Sequence, residues 1–279
     1  VNGHLMGNHQ SGYTPSFYDL TDVLRYGKEG RNVVLVKVDA RDYEGWWYEG
    51  CGIYRHVWLQ KTDRLHVGRY GTYVTTPDIS KDKADIRIQT TVVNEYAVSR
   101  NIKVVSKIQD MYGQLLDTEE SRLEVEALGQ ACAHQMGMVA KPQLWSSETP
   151  HLYKVMTEIV CDGRVVDSYE TTFGIRTAEV RQDGFYLNGK RYPVKGTANH
   201  QDFAGVGVAV PDKIHEYRIA LLKEMGCNAY RTAHNPTASE VMDICDRKGM
   251  LFLDENRLLA STEDGLEDLK TLILRDRNH

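Results

Sequence analysis

Residues 228–256, NAYRTAHNPTASEVMDICDRKGMLFLDEN, spell strand, polar turn, helix, glycine stop, strand and acidic end. Asn228-Ala-Tyr-Arg-Thr232 has the make-up of a short buried strand, and Pro236 closes the turn because it cannot donate to a ladder. Thr237-Ala-Ser-Glu240 fits a capping box, in which a hydroxyl takes one orphan N–H and a glutamate reaches back to another. Val241, Ile244 and Cys245 recur at helical spacing, and Gly249 stands where a left-handed residue ends a helix. Met250-Leu-Phe-Leu253 is the unbroken apolar run of a parallel strand covered on both faces. Polar groups gather where the two strands end: Arg231, His234 and Asn235 at the first, Asp254, Glu255 and Asn256 at the second. In β/α architectures the carboxyl ends of the strands line the site. The plainer reading of the same residues is a helix cap followed by a solvated turn.

The same grammar extends outward. Upstream, Tyr192-Pro-Val-Lys-Gly-Thr197 predicts a strand that ends in Asn199-His200-Gln-Asp202. Ile214, Tyr217, Leu221, Leu222 and Met225 then predict an amphipathic helix stopped by Gly226. Downstream, Leu266, Leu269, Leu272 and Ile273 predict a third helix. Three strand–helix units are too few to close a barrel, which needs eight. Before them, Asp-Gly and Asn-Gly turns within residues 181–192 predict a small hairpin.

Residues 63–178 read differently, as short strands at regular spacing. Ala84, Ile86, Ile88, Thr90 and Val92 alternate with polar neighbours. Further strands are expected at 102–108, 123–125, 152–155 and 163–173. About seven antiparallel strands in such a span suggest an immunoglobulin-like sandwich acting as a spacer, with Trp145 and Pro150 at its edge. Residues 1–62 are all-β in character. Asn2-Gly3 is a turn signal. Residues 17–24 suggest one helical turn, and strands are expected at 32–39 and 56–60. Between them, Trp46, Trp47 and Tyr48 in a glycine-rich run offer flat faces for stacking on a sugar, or a wedge between two domains.

Composition excludes several classes. The 279 residues are 41% hydrophobic and 26% charged, which is ordinary for a globular protein. A net charge of −5 with scattered basic residues leaves no nucleic-acid footprint. No apolar run approaches the length of a membrane span. The five cysteines are widely spaced with no C-x-x-C, so neither a zinc knuckle nor a disulfide framework is implied. The chain starts at Val1-Asn-Gly-His within a hairpin-like stretch and ends at Arg275-Asp-Arg-Asn-His279 after a helix, so both ends read as cuts. The absence of a targeting segment therefore says nothing about compartment, which is left unknown.

Taken together, these motifs resemble glycoside hydrolase family 2, the group of β-galactosidases, β-glucuronidases and β-mannosidases. The resemblance rests on Glu49-Gly-Cys-Gly-Ile-Tyr-Arg-His-Val-Trp58, Leu144-Trp with Pro150-His-Leu-Tyr153, and Phe185-Tyr-Leu-Asn-Gly-Lys190. Lys195-Gly with Asn199-His200, the stretch from Asn228 to Pro236, Asp254-Glu255 and the final five residues extend it over the whole chain. Residues 43–55 and Asp254-Glu-Asn-Arg257 look most like β-galactosidases and weakly disfavour β-glucuronidase.

The fold this implies is multidomain, β plus α/β. Residues 1–62 would end a jelly-roll sugar-binding domain, 63–178 would be the immunoglobulin-like sandwich, and 179–279 would be the first three β/α units of a TIM barrel. The implied chemistry is retaining hydrolysis of terminal β-D-galactosides, in which two carboxylates sit roughly 5–5.5 Å apart across the scissile bond. The resemblance puts both glutamates beyond His279, so no catalytic residue is expected here and residues 1–279 alone should be inactive. Asp254 and Glu255 are adjacent in an extended segment, which turns their side chains to opposite faces.

What carries over is a substrate-binding set: His200, Asp202, Arg231, His234, Asn235, Glu255 and Asn256. The resemblance makes His200 and His234 donors to sugar hydroxyls and Arg231 the cation that orients the nucleophile. Some β-galactosidases place a Glu-x-His magnesium pair after the third strand, but Asp254-Glu-Asn-Arg-Leu-Leu-Ala260 has neither member, so no cofactor is expected. The expected partner is a β-linked glycoside or oligosaccharide, with no nucleic acid, no membrane, and a homo-oligomer possible for the parent. The alternatives are β-glucuronidase or β-mannosidase specificity, or a non-catalytic carbohydrate-binding module.

Overall fold

The computed structural model describes residues 1–28, 30–41, 52–257 and 260–279. The expectation for Trp46, Trp47 and Tyr48 lies outside these residues.

Seven strands form a two-sheet sandwich: β1 (Leu65–Ile79), β2 (Lys83–Asn94), β3 (Arg100–Asp110), β4 (Leu115–Val125), β5 (Gly129–Ala140), β6 (Tyr153–Cys161) and β7 (Arg164–Phe173). One sheet has the order β1-β2-β5 and the other β4-β3-β6-β7, and every pairing is antiparallel. The period-two pattern sends alternate side chains inward. Ala84, Ile86 and Ile88 of β2 meet Ile108, Val155 and Phe173 from the facing sheet. Leu65, Val67 and Val92 meet Ile102, Val104 and Ile159 further along. One inward position on β5 is polar: buried Gln135 accepts from Ser106 Oγ at 2.7 Å and donates to the Val104 carbonyl at 3.0 Å. A buried amide satisfied on both sides joins the sheets without an unpaired group. Trp145 bridges to Pro150 at the sandwich margin and is 4% exposed.

A three-stranded antiparallel sheet follows, β8 (Ala178–Arg181), β9 (Gly184–Leu187) and β10 (Lys190–Arg191). Asn188 and Gly189 make its second turn at φ 51° and 73°, as an Asn-Gly hairpin requires. Then come β11 (Gly196–Asn199), α1 (Asp212–Glu224), β12 (Ala229–Thr232), α2 (Ser239–Lys248), β13 (Leu251–Leu253) and α3 (Glu263–Asp276). The three strands are parallel in the order β11-β12-β13. Tyr230 and Phe252 stack 5.7 Å apart, and Tyr230 is buried with Ile219 and Leu222 of α1 and Val241, Ile244 and Cys245 of α2. Gly249, at φ 71°, closes α2 as predicted. This is a β-sandwich followed by the opening units of a β/α barrel.

Four expectations are corrected. No strand forms at 32–39 or 56–60. Among the described residues no ladder forms on these stretches; Asn2 N donates to the Val33 carbonyl, but one such bond does not stabilise a strand; Leu35 and Trp58 are 87% and 79% exposed. Residues 17–24 do hold the single turn, closed by Leu24 N donating to the Leu20 carbonyl. The capping box is absent: α2 is capped at Ala238 without a side-chain bond, and Thr237 is buried one residue outside. On α1 the buried residues are His215, Ile219 and Leu222, while Tyr217, Leu221 and Met225 are exposed. On α3 only Leu272 of the four predicted apolar residues is buried. Those apolar faces lack a covering element among the described residues.

The sandwich and the β/α part are tied by several polar contacts. Trp145 Nε1 donates to the Asp246 carbonyl at 2.8 Å, and Lys223 Nζ donates to the carbonyls of Ser147 and Gly249. Asn278 accepts from Val74 N at 2.9 Å and donates to the Thr72 carbonyl at 2.8 Å. The four described cysteines, Cys132, Cys161, Cys227 and Cys245, are free thiols.

Candidate functional site

The parallel register sets the site. Gly196, Ala229 and Leu251 are level, and so are Ala198, Arg231 and Leu253. The carboxyl ends of the three strands therefore emerge together. Alternation turns Tyr230 toward the helices and Arg231 the other way. Thr232, the last residue of β12, is buried and accepts from Glu255 N at 3.0 Å, which ties the end of β12 to the second residue after β13. Ala233 N donates to the Asn199 carbonyl at 3.0 Å and ties β12 to β11.

Glu255 is the centre of this edge. Its Oε1 accepts from Arg231, and its Oε2 accepts from His234 Nδ1 at 2.9 Å. A carboxylate only accepts, so Nδ1 of His234 carries a proton in this arrangement. The His200 and His234 rings meet edge to face, 5.8 Å between centroids at 86°. His200 and Asp202 sit in a loop held by Arg218 of α1, which donates to both of their carbonyls and lies 5.2 Å over the Phe203 ring. Asn235, next to His234, is buried at 4% exposure, and Asn256 follows Glu255 half-buried. The structure thus brings Arg231, His234, Glu255 and His200 into one cluster, with Asp202, Asn235 and Asn256 on the adjoining residues.

Asp254 faces away, as alternation requires. It lies against Asp276, whose carboxylate is gripped by Arg275 Nε and Nη2 at 2.5 and 2.7 Å, and its Oδ1 accepts from Glu255 N at 3.1 Å. Arg275 and Asp276 side chains are almost fully buried. Burial, reinforced by the Asp276 carboxylate, pushes Asp254 far above the usual carboxylate range, and Arg275 opposes the shift. Its Oδ2 has no donor within reach among the described residues. A proton on Asp254 relieves the repulsion from the neighbouring Asp276 carboxylate.

Sequence reading missed three contributors. Thr232 reads in the sequence as a plain strand end, and Arg218 falls between the residues of the apolar stripe of α1. The Arg275-Asp276 pair carries no sign of its buried contact beyond the family resemblance of the final five residues. The signal for Arg218 was present: it stands four residues after Ile214, within a stripe otherwise read as apolar.

Imidazoles, a guanidinium and a carboxylate thus gather at the carboxyl edge of parallel strands that follow a β-sandwich and open a β/α barrel. Sequence comparison narrows the class. Models of "Glycosyl hydrolases family 2" and "Glycosyl hydrolases family 2, TIM barrel domain" match residues 66–176 and 178–279. A beta-galactosidase from Bacteroides ovatus is 39% identical over 293 residues, covering 100% of this chain and 34% of that protein. A beta-glucuronidase from Formosa agariphila is 30% identical over 309 residues, covering 100% of this chain and 31% of that protein. The crystal structure of a glycosyl hydrolase family 2 member from Bacteroides cellulosilyticus superposes with a TM-score of 0.90 at 34% identity, over 98% of this chain and 38% of that one. The chain belongs to glycosyl hydrolases family 2. It spans about a third of the length of the curated relatives it matches.

Proposed function

We propose that this chain forms part of a retaining β-glycosidase acting on terminal β-D-galactosides, and that His200, Asp202, Arg231, His234, Asn235, Glu255 and Asn256 make one wall of its sugar site. In this reading residues 1–62 close a sugar-binding jelly roll, 63–178 form the spacer sandwich and 179–279 open the barrel. The observation that carries it is Glu255 fixed between Arg231 and His234 beside His200. These groups are oriented before any ligand arrives, which is the condition for acting on developing charge without reorganisation. His234 holds a proton at Nδ1 against Glu255, and its other ring nitrogen meets a sugar hydroxyl. Arg231 fixes the electrostatic sign of the wall and orients the nucleophile.

The two carboxylates that do the chemistry come, in this reading, from chain beyond His279. Support for this lies in the acids at hand. Glu255 is committed to Arg231 and His234, and Asp254 to Asp276 and Arg275, so the two cannot straddle one glycosidic bond. The β-galactosidase relative at 39% identity favours galactosides, while relatives named beta-glucuronidase support glucuronides as the second reading.

The test is turnover by the complete protein on aryl β-D-galactoside, β-D-glucuronide and β-D-mannoside. Fastest turnover of the galactoside is expected, with glucuronide preference selecting the second reading. No turnover of any of the three would end the glycosidase proposal.

A further inference from the structure

We propose that Arg55, from the segment before the sandwich, is a positioning residue that braces the two loops carrying His200 and His234 and so sets the spacing of the sugar wall. The inference rests on the reading above for its kinetic consequence, but its structural basis is independent of it. Arg55 as a whole is half-buried, and its guanidinium is the enclosed end, where burial pulls its pKa down. Nη2 donates to the Pro236 carbonyl at 2.7 Å and to Gln201 Oε1 at 3.1 Å. Nη1 donates to the Tyr13 carbonyl at 2.7 Å and to the Thr237 carbonyl at 3.3 Å. The Tyr54 ring lies 5.1 Å from its carbon, and Tyr54 is itself anchored through its hydroxyl to the Gly12 carbonyl at 2.7 Å. A cation taken from water is tolerated only when its donors are satisfied. Here four oxygens do that, three of them in the loops after β11 and β12.

The order of the contacts along each loop is informative. At their roots the loops are joined by Ala233 N to the Asn199 carbonyl. At their outer ends they are joined by Arg55 through Gln201 and Pro236. His200 is the single residue between the two ties on the first loop, and His234-Asn235 are the only residues between them on the second. Each histidine is thus bracketed, and their rings meet edge to face inside the bracket. The role requires arginine. A planar fork can reach two loops at once, whereas a lysine offers one compact point charge.

The segment also touches the β/α part away from the loops: His56 Nε2 lies 3.2 Å from Asp212 of α1 and 3.7 Å from Glu240 of α2. That provides a control. In the complete protein, Arg55→Met should lower kcat on the aryl β-galactoside by about 10- to 100-fold, the scale of a small misplacement of binding groups. KM should change much less, because the histidines act more strongly on the transition state than on bound sugar. Arg55→Lys should show the same pattern in milder form and is read in its place if the Met variant does not fold. His56→Gln should lower the melting temperature with kcat within twofold of wild type. Hydrogen exchange should quicken at residues 199–207 and 233–238 in the Arg55 variants and not in His56→Gln. Unchanged exchange in those two loops, or quickened exchange with unchanged kcat, would overturn the proposal. An inactive wild type defeats the glycosidase reading alone, and exchange still decides the bracing.

Discussion

His234 makes the sharpest residue-level claim, because one ring nitrogen is spoken for by Glu255 at 2.9 Å and the ring packs on His200. In the complete protein, His234→Ala should reduce kcat on an aryl β-galactoside by about two orders of magnitude, the cost of one lost donor to developing charge. Wild-type turnover by that variant would return His234 to the status of a turn residue. Two buried titratable groups predict the pH dependence of stability. Asp254 is pushed from 3.8 up to about 8 by burial and by Asp276, against Arg275. The folded protein then holds a proton that the unfolded chain releases, so this group lowers stability as pH rises across that interval. His215 is pulled from 6.5 down to about 4 by burial and by Arg218 and Arg55, with Asp212 opposing. The unfolded chain binds the extra proton there, so stability is lost as pH falls through that window. The two slopes oppose each other below about 6.5; above it Asp254 is joined by His279, which Asp246 holds above its ordinary value against burial, so both lower stability as pH rises. Melting temperature measured against pH should therefore decline from 6.5 to 8 in the wild type and decline less steeply in Asp254→Asn, where the His279 contribution remains. A decline of equal slope in the variant would show that Asp254 is ionised in the folded state.

Helix α2 and the residue that ends it show what an element demands of its neighbours. Gly249 is left-handed at φ 71°, and a Cβ there would lie 2.3 Å from the Ser147 carbonyl oxygen, which also accepts from Lys223. Gly249→Ala should cost more than about 1 kcal/mol, because both the backbone and the contact with the sandwich resist it. Gly163→Ala, at φ 74° with open space around it, should cost less, since it meets only the backbone penalty. Chemical denaturation of the two variants checks the order, and equal losses would mean that the Ser147 approach is soft. Gly249 was legible because a helix, its stop and the apolar run after it are neighbours in sequence. So was the opposite facing of Asp254 and Glu255, which follows from strand geometry alone. The buried faces of α1 and α3 were not legible. Their apolar residues mark every surface the helix could cover, and only Ile219, Leu222 and Leu272 among the apolar ones are covered by described residues. The Thr237 cap failed for a related reason: the Thr237 carbonyl is held by Arg55, 182 residues away, and such a contact leaves no periodic trace.

Among the described residues, the sandwich is joined to the opening units of the barrel by side chains that reach across to backbone groups. Trp145, Lys223 and Asn278 each reach across to a backbone group. Residues 1–279 expressed alone should give no turnover of an aryl β-galactoside above buffer, since Glu255 is held by Arg231 and His234 while Asp254 turns away into a buried cluster with Asp276 and Arg275. Turnover that vanishes on Glu255→Gln would relocate the catalytic pair into this chain. Asn278 has a consequence of another kind. Strand β1 is the outermost of its sheet, and an outermost strand is a ready template for a stranger's backbone. One carboxamide occupies the Val74 N–H and the Thr72 carbonyl together, much as the peptide group of an added strand would. A residue more than two hundred positions away thereby denies that stretch to self-association, and the sheet needs no proline or charge there to stay solitary.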